Sequence, residues 1–334
     1  MKQWAGVVII LGLAILSGCG LGKRRLDVDV SNVTLADVKI HRYDVDLFRV
    51  RKDRLLQDLE SLKPEYPVFL DTNLRDPATL EGLKSFLESP RIIGFHAAVD
   101  SQYRQIAGLE KDLTQALKHY LYYYPRYKIP MVYTYISGGE YDYPIEFGNN
   151  VLLIGLDNYL GTGFKPYVSD GLPAYRMIQM TPSNIIPECM NVLGKITYPG
   201  KLPGNNLLEQ MIEAGKRLLF VEAMMPQAEE RLLIGYSKEQ HEWIVKNEAH
   251  VWAAIIENRM LYTTDGKLIR TFMADGPFTA EFSKDAPARL GEWLGWQIVR
   301  EYYEKNPEVT LQLVMTETDA QKILSNSGYK PEKE

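Results

Sequence analysis

Two Cys and five His in 334 residues limit the chemistry that thiols and imidazoles can do here, and their neighbours limit it further. Cys19 closes the run Leu16-Ser17-Gly18-Cys19, at the end of an uncharged apolar stretch of 13 residues from Trp4 to Leu16 that follows Lys2. That stretch is short for a bilayer span, which takes about 20 residues. A basic start followed by a short apolar core is a signal peptide. Small residues before a cysteine at its end form a bacterial lipobox, in which the sulfur takes a diacylglycerol before cleavage. Residues 1–18 are therefore expected to be removed, with lipidated Cys19 heading the mature chain. One acyl chain holds a membrane only marginally and two or more hold it stably. Cys189 is then the single remaining thiol. It cannot close an intramolecular disulfide and is read as a small buried hydrophobe.

The His set does not make a metal site. A zincin places His-Glu-x-x-His on a helix, so that two imidazoles one turn apart share a metal. His241-Glu242-Trp243-Ile244-Val245 begins that way and ends in Val. His250 lies nine residues from His241, half a turn out of phase on a straight helix. No Gly-x-Ser-x-Gly elbow or phosphate loop is present. Gly161-Thr162-Gly163 lacks the third glycine of a dinucleotide site. No catalytic residue, metal ligand or cofactor is assigned. The tyrosines at 120, 122, 123, 124 and 127 are either a contact patch for glycan or protein, or the packing of a helix end with hydroxyls toward water.

The elements that must position these residues follow from hydrophobic period. Alternation around Val38, Ile40, Tyr43, Val45 and Leu47 marks a strand. Lys52–Leu62 reads as a helix with Leu55, Leu56, Leu59 and Leu62 on one face. Asp76-Pro77 opens another, with Asp as N-cap and Pro in the first turn. Ser101–Tyr124 reads as one long helix ending at Pro125. The period then changes to strands at Pro130–Ser137, Ile145–Phe147 and Val151–Ile154, with Gly148-Asn149-Asn150 as a hairpin signal. Beyond Thr181 the chain is mostly helical. Leu207–Val221 is amphipathic, and Ser237–Asn258 opens with a capping box at Ser237 and Gln240. Thr264-Asp265-Gly266 reads as a turn able to start a short hairpin. In Pro287–Asn306 the residues Leu290, Trp293, Leu294, Ile298 and Tyr302 share a face, while Gly291 and Gly295 make a small one. Residues beyond Gly328 are expected to fray. The fold class expected is α+β, predominantly helical with a small β-sheet. A tether spans residues 19–32, and one domain spans residues 33–330.

The whole chain carries 38 Lys+Arg and 43 Asp+Glu, net -5, which argues against nucleic acid as a partner. Loss of the signal peptide removes Lys2 alone, so 37 basic against 43 acidic side chains remain, net -6. The tail after Cys19, Gly-Leu-Gly-Lys-Arg-Arg, is short and basic and is read as able to lie against anionic lipid.

An ordered set of segments resembles the gliding motility lipoprotein GldB family of Bacteroidetes. It comprises the lipobox; Ile40-His-Arg-Tyr-Asp44; Val151-Leu-Leu-Ile-Gly-Leu156-Asp157-Asn-Tyr159; Met211-Ile-Glu213-Ala-Gly215-Lys216; Ile234-Gly-Tyr-Ser-Lys-Glu-Gln240; Leu261-Tyr-Thr-Thr-Asp265; and Arg289-Leu-Gly291-Glu-Trp293-Leu-Gly295-Trp. That family is distantly similar to zincin-type metallopeptidases. The resemblance implies a zincin-like shell without the metal motif, since Pro182–Thr197 contains no His where two ligands would stand. Glu213 would be the third, acidic ligand, and Asp157, Tyr159 and Glu213 are the candidate cleft residues. The absence of an acidic run after Cys19 implies an anchor facing the periplasm, in the outer membrane. The function implied is non-enzymatic support of gliding motility or of envelope assembly linked to type IX secretion, with an envelope protein as partner. An extended peptide could lie in the cleft. The alternative is a lipid-anchored peptidase or glycan hydrolase with an unrecognised site.

Overall fold

The computed structural model describes residues 24–199 and 205–331; Cys19 lies outside them. Four short strands form one mixed sheet: β1 (Ile40–Arg42), β2 (Met131–Tyr135), β3 (Ile145–Gly148) and β4 (Val151–Gly155), in the order β1-β2-β4-β3. β1, β2 and β4 run parallel, and β3 is an antiparallel edge. Asn149 and Asn150 both take positive φ, 50° and 61°, the backbone of a type I′ turn that matches strand twist. Alternate residues of the sheet go to opposite faces. Val132, Leu152 and Ile154 enter the larger core, while Tyr133, Val151 and Leu153 pack on the smaller one with Tyr43, Leu59, Tyr66 and Leu70.

The helices of eight or more residues are α1 (Leu55–Leu62), α2 (Pro77–Glu88), α3 (Pro90–Gln102), α4 (Ala107–Tyr123), α5 (Ile185–Thr197), α6 (Leu207–Met224), α7 (Lys238–Glu257), α8 (Gly266–Met273), α9 (Leu290–Lys305) and α10 (Ala320–Ser327). The fold is α+β and predominantly helical around one small sheet. The Asp76 side chain accepts from Thr79 N, and Ser237 and Gln240 close a capping box at the start of α7. α6 and α9 are the centre of the larger core. They cross at glycine: a Cβ on Gly295 would fall on the Met211 carbonyl, and one on Gly215 would fall on the Gly295 carbonyl. The small face expected in α9 thus meets α6, and Trp293 and Trp296 beside it are buried.

Five expectations need correction. The first strand stops at Arg42, and Tyr43–Asp46 turns helical because the Asp44 carboxylate is pulled back by Arg42 and Thr134. The stretch Ser101–Tyr124 is not one helix: α3 ends at Gln102 and α4 starts at Ala107, and between them Tyr103 is buried with its hydroxyl donating to the Tyr159 carbonyl at 2.6 Å. Asp265 starts no hairpin; its carboxylate accepts from Lys267 N and caps α8. Fraying, expected from Gly328 onward, does not begin there; residues 332–334 lie outside the described residues. That glycine terminates α10 at φ 56°, and the Tyr329 hydroxyl donates to Glu248 Oε1 at 2.7 Å. Arg24 and Arg25, expected to lie against lipid, dock on the body instead. Arg24 pairs with the buried Glu222 at 3.1 Å, and Arg25 donates to the Asn306 and Val309 carbonyls past the end of α9.

Among the described residues, no helix is long and apolar enough to cross a membrane. Cys189 is a free, buried thiol, as its sequence context implied, and burial pushes its pKa up.

Candidate functional site

Two cavities of about 450 and 500 Å³ meet along one face of α5. Both are lined by Glu188, Asn191 and Lys195, which stand three and four residues apart and therefore share a stripe of that helix. The opposite face of α5 is apolar, with Ile185, Cys189, Met190 and Leu193 in the core. One cavity extends toward the sheet, where Tyr141–Ile145 leads into the edge strand β3. The other extends to Glu213 and Arg217 on α6 and to Arg289 and Glu292 at the start of α9. The result is a continuous cleft from a sheet edge to the central helix pair.

Its electrostatics divide into spent and available groups. Lys216 is buried and held by Glu213 at 2.5 Å. Arg289 lies 3.5 Å from Asp275 and 3.7 Å from Glu292, and its Nη1 donates to the Ile234 carbonyl at 2.7 Å. Arg289 takes the left-handed backbone region, φ 58°, which residues other than glycine seldom adopt. Lys195 and Arg217, by contrast, make no ion pair within 4.0 Å among the described residues; Lys195 acts on Glu188 from farther off, and Arg217 donates to the Glu213 carbonyl. Glu188 accepts from the Tyr159 hydroxyl. Burial pushes the Glu188 carboxyl from its ordinary 4.5 up to about 7, against the opposing pull of that hydroxyl and of Lys195. The cleft therefore offers the Glu188 carboxyl, the Asn191 amide and two cations outside close ion pairs. Such a set can hold a polypeptide with charged side chains, and Glu188 has a pKa suited to general acid–base work.

Of the candidate cleft residues, Tyr159 and Glu213 line the cavities and Asp157 does not. Asp157 is fully buried. Its carboxylate accepts from Ser137 N at 2.7 Å, Ser137 Oγ at 2.9 Å, Gly138 N at 2.9 Å and Gly139 N at 3.0 Å. It fixes the turn leaving β2, in which Gly138 and Gly139 have φ of 78° and 93°. Glu188, Asn191, Lys195 and Arg217 were not singled out from sequence. The signal available was the polar stripe at 188, 191 and 195 on an otherwise apolar helix. His241 and His250 have separate surroundings, the first 3.3 Å from Glu230 and the second against the Phe282 ring. Among the described residues, no three His, Cys, Asp or Glu side chains converge where a metal would sit.

Comparison with curated proteins and with solved structures returned no match. A family model did match, that of the gliding motility protein GldB, over residues 23–331. With nearly all of the body covered in one span, the chain belongs to the GldB family of gliding motility proteins.

Proposed function

We propose that this is a lipid-anchored envelope protein serving gliding motility or related envelope assembly, whose cleft holds an extended segment of a partner protein without cleaving it. The observation that carries this reading is the course of the cleft. It starts at the extended approach Tyr141–Ile145 that leads into β3, and passes Asn191, Lys195 and Arg217. The α5 residues that line the cavity with Glu213 are Pro187, Glu188, Asn191 and Lys195, none of them a histidine. They give a metal no imidazole, so the arrangement favours holding a peptide over hydrolysing it with a metal-activated water. The lipobox at Cys19 supports the anchor, and the membrane concerned is the outer one, with the body facing the periplasm. Asn191→Trp, which fills the cleft, should abolish gliding or the assembly it serves while the protein stays at normal level in the membrane. Unimpaired motility in that variant would contradict the reading.

One observation favours a second reading. Glu188 lines the cleft and burial pushes its carboxyl up to about 7, the range in which a peptidase or glycan hydrolase keeps a general acid. On that reading purified protein cleaves envelope peptide or glycan, and Glu188→Gln loses the activity without losing the fold.

A further inference from the structure

The N-terminal segment docks at one end of the molecule, where the C-termini of α4, α6 and α9 gather. Arg24 reaches Glu222 near the end of α6. The Arg25 guanidinium lies 3.9 Å above the Tyr303 ring near the end of α9, and Leu26 is buried. Tyr122 and Tyr123, at the end of α4, neighbour Tyr303. Helix C-termini carry partial negative charge, and the two arginines complement it while satisfying free carbonyls. Only residues 20–23 separate Cys19 from this seat, at most about 18 Å of chain when fully extended. A lipid on Cys19 would hold this end within that reach of the bilayer.

The same end carries the run Tyr122-Tyr123-Tyr124-Pro125-Arg126-Tyr127-Lys128. Tyr122 and Tyr127 are 47% and 48% exposed. Arg126 and Lys128 are exposed and have no carboxylate partner among the described residues. Phenols with one apolar and one wet side, flanked by free cations, fit the headgroup layer of a membrane.

We propose that this end, with Tyr122, Arg126, Tyr127 and Lys128, is the face laid against the bilayer, the tyrosines at headgroup level and the cations on lipid phosphates. It rests on the lipid-anchor reading of Cys19. The body is then oriented rather than swinging on a free tether, because Arg24–Leu26 is part of the packed structure. The sheet end of the cleft, at Tyr143, faces away from the membrane.

The test uses the full lipidated chain in vesicles of phosphatidylethanolamine and phosphatidylglycerol that carry a nitroxide-labelled quencher lipid. Tyr122→Cys and Tyr143→Cys are each labelled with a fluorophore; the Cys19 thiol is acylated and Cys189 is buried, so the label goes to the new thiol. Tyr143 is 66% exposed and serves as the distant site. Quenching at 122 should exceed that at 143 several-fold, and Arg126→Glu with Lys128→Glu should reduce it. Equal quenching at both sites in vesicle-bound protein would overturn the orientation and leave the anchor standing. Protein that does not sediment with the vesicles at all would overturn both.

Discussion

Glu188 and Asp157 show how two buried carboxyls in one protein come to do different things. Asp157 has four donors around it, three of them backbone amides of a turn it holds in place. Its surroundings are complete, so it is structural. Among the described residues Glu188 has one donor, the Tyr159 hydroxyl, and otherwise lines the cleft. Its pKa is raised from 4.5 to about 7 chiefly by burial. Between those values the native protein binds more proton than the unfolded chain, so this group's contribution makes stability fall as pH rises. The penalty is absent below 4.5 and complete above about 7. Glu188→Gln keeps an acceptor for Tyr159 and removes the charge. It should raise stability at pH 8 by about 1–3 kcal/mol, after discounting for water in the cleft, and by almost nothing at pH 4.5. Paired thermal melts at the two pH values check this; an equal gain at both would contradict the account. Sequence could place Asp157 and Tyr159 near one another by proximity alone, but not tell which faced solvent. That difference is set by the turn at Ser137–Gly139, twenty residues away in the chain.

Local signals were legible where a helix end or turn carries its own chemistry. Asp76, Ser237 with Gln240, and the two asparagines of the β3–β4 hairpin all fell where expected, because a cap or a type I′ turn needs only neighbours in sequence. The errors arose where a distant contact won. Tyr103 breaks the expected long helix to reach Tyr159, and Asp265 caps a helix that amphipathic pattern alone did not separate from a hairpin. The α6–α9 crossing shows both sides. Gly291 and Gly295 announced a close approach, yet Gly215, which meets Gly295, could be assigned only in space. Gly295→Ala should prevent folding or force α9 off α6, because backbone leaves the new Cβ no room; an unshifted melting temperature would contradict that. Trp293 is 2% exposed and its indole N–H donates to Glu248 at 2.7 Å. Trp293→Ala should cost about 3–5 kcal/mol, and because Glu248 also holds Tyr329, the chain end should become protease-sensitive with it. Wild-type stability combined with loss of a cellular partner would make α9 an interface rather than a core element.

At the scale of the molecule, the predominantly helical class with one small sheet was readable from the change of hydrophobic period near Lys128, and the family from the order of short segments. The cleft was not, because its walls come from the approach to β3, from α5, from α6 and from the start of α9, and no single stretch contains it. Charge balance explains part of that difficulty: the lining groups are of both signs and leave no mark on local composition. The anchor is a separate matter from the cleft and has its own test. Cys19→Ala should release the protein from membranes or leave it unprocessed, and fully processed, membrane-retained protein would contradict lipidation. The cleft is proposed to hold a partner's extended segment intact. A photo-crosslinking amino acid at position 191, introduced in the full-length protein in living cells and followed by mass spectrometry, tests it most directly. The account predicts capture of one envelope protein through a linear, uncleaved segment, unchanged by Glu188→Gln and lost in Arg217→Glu. Capture only of fragments ending at the cleft, with cleavage abolished by Glu188→Gln, or no capture in cells where the protein is present at normal level, would contradict it.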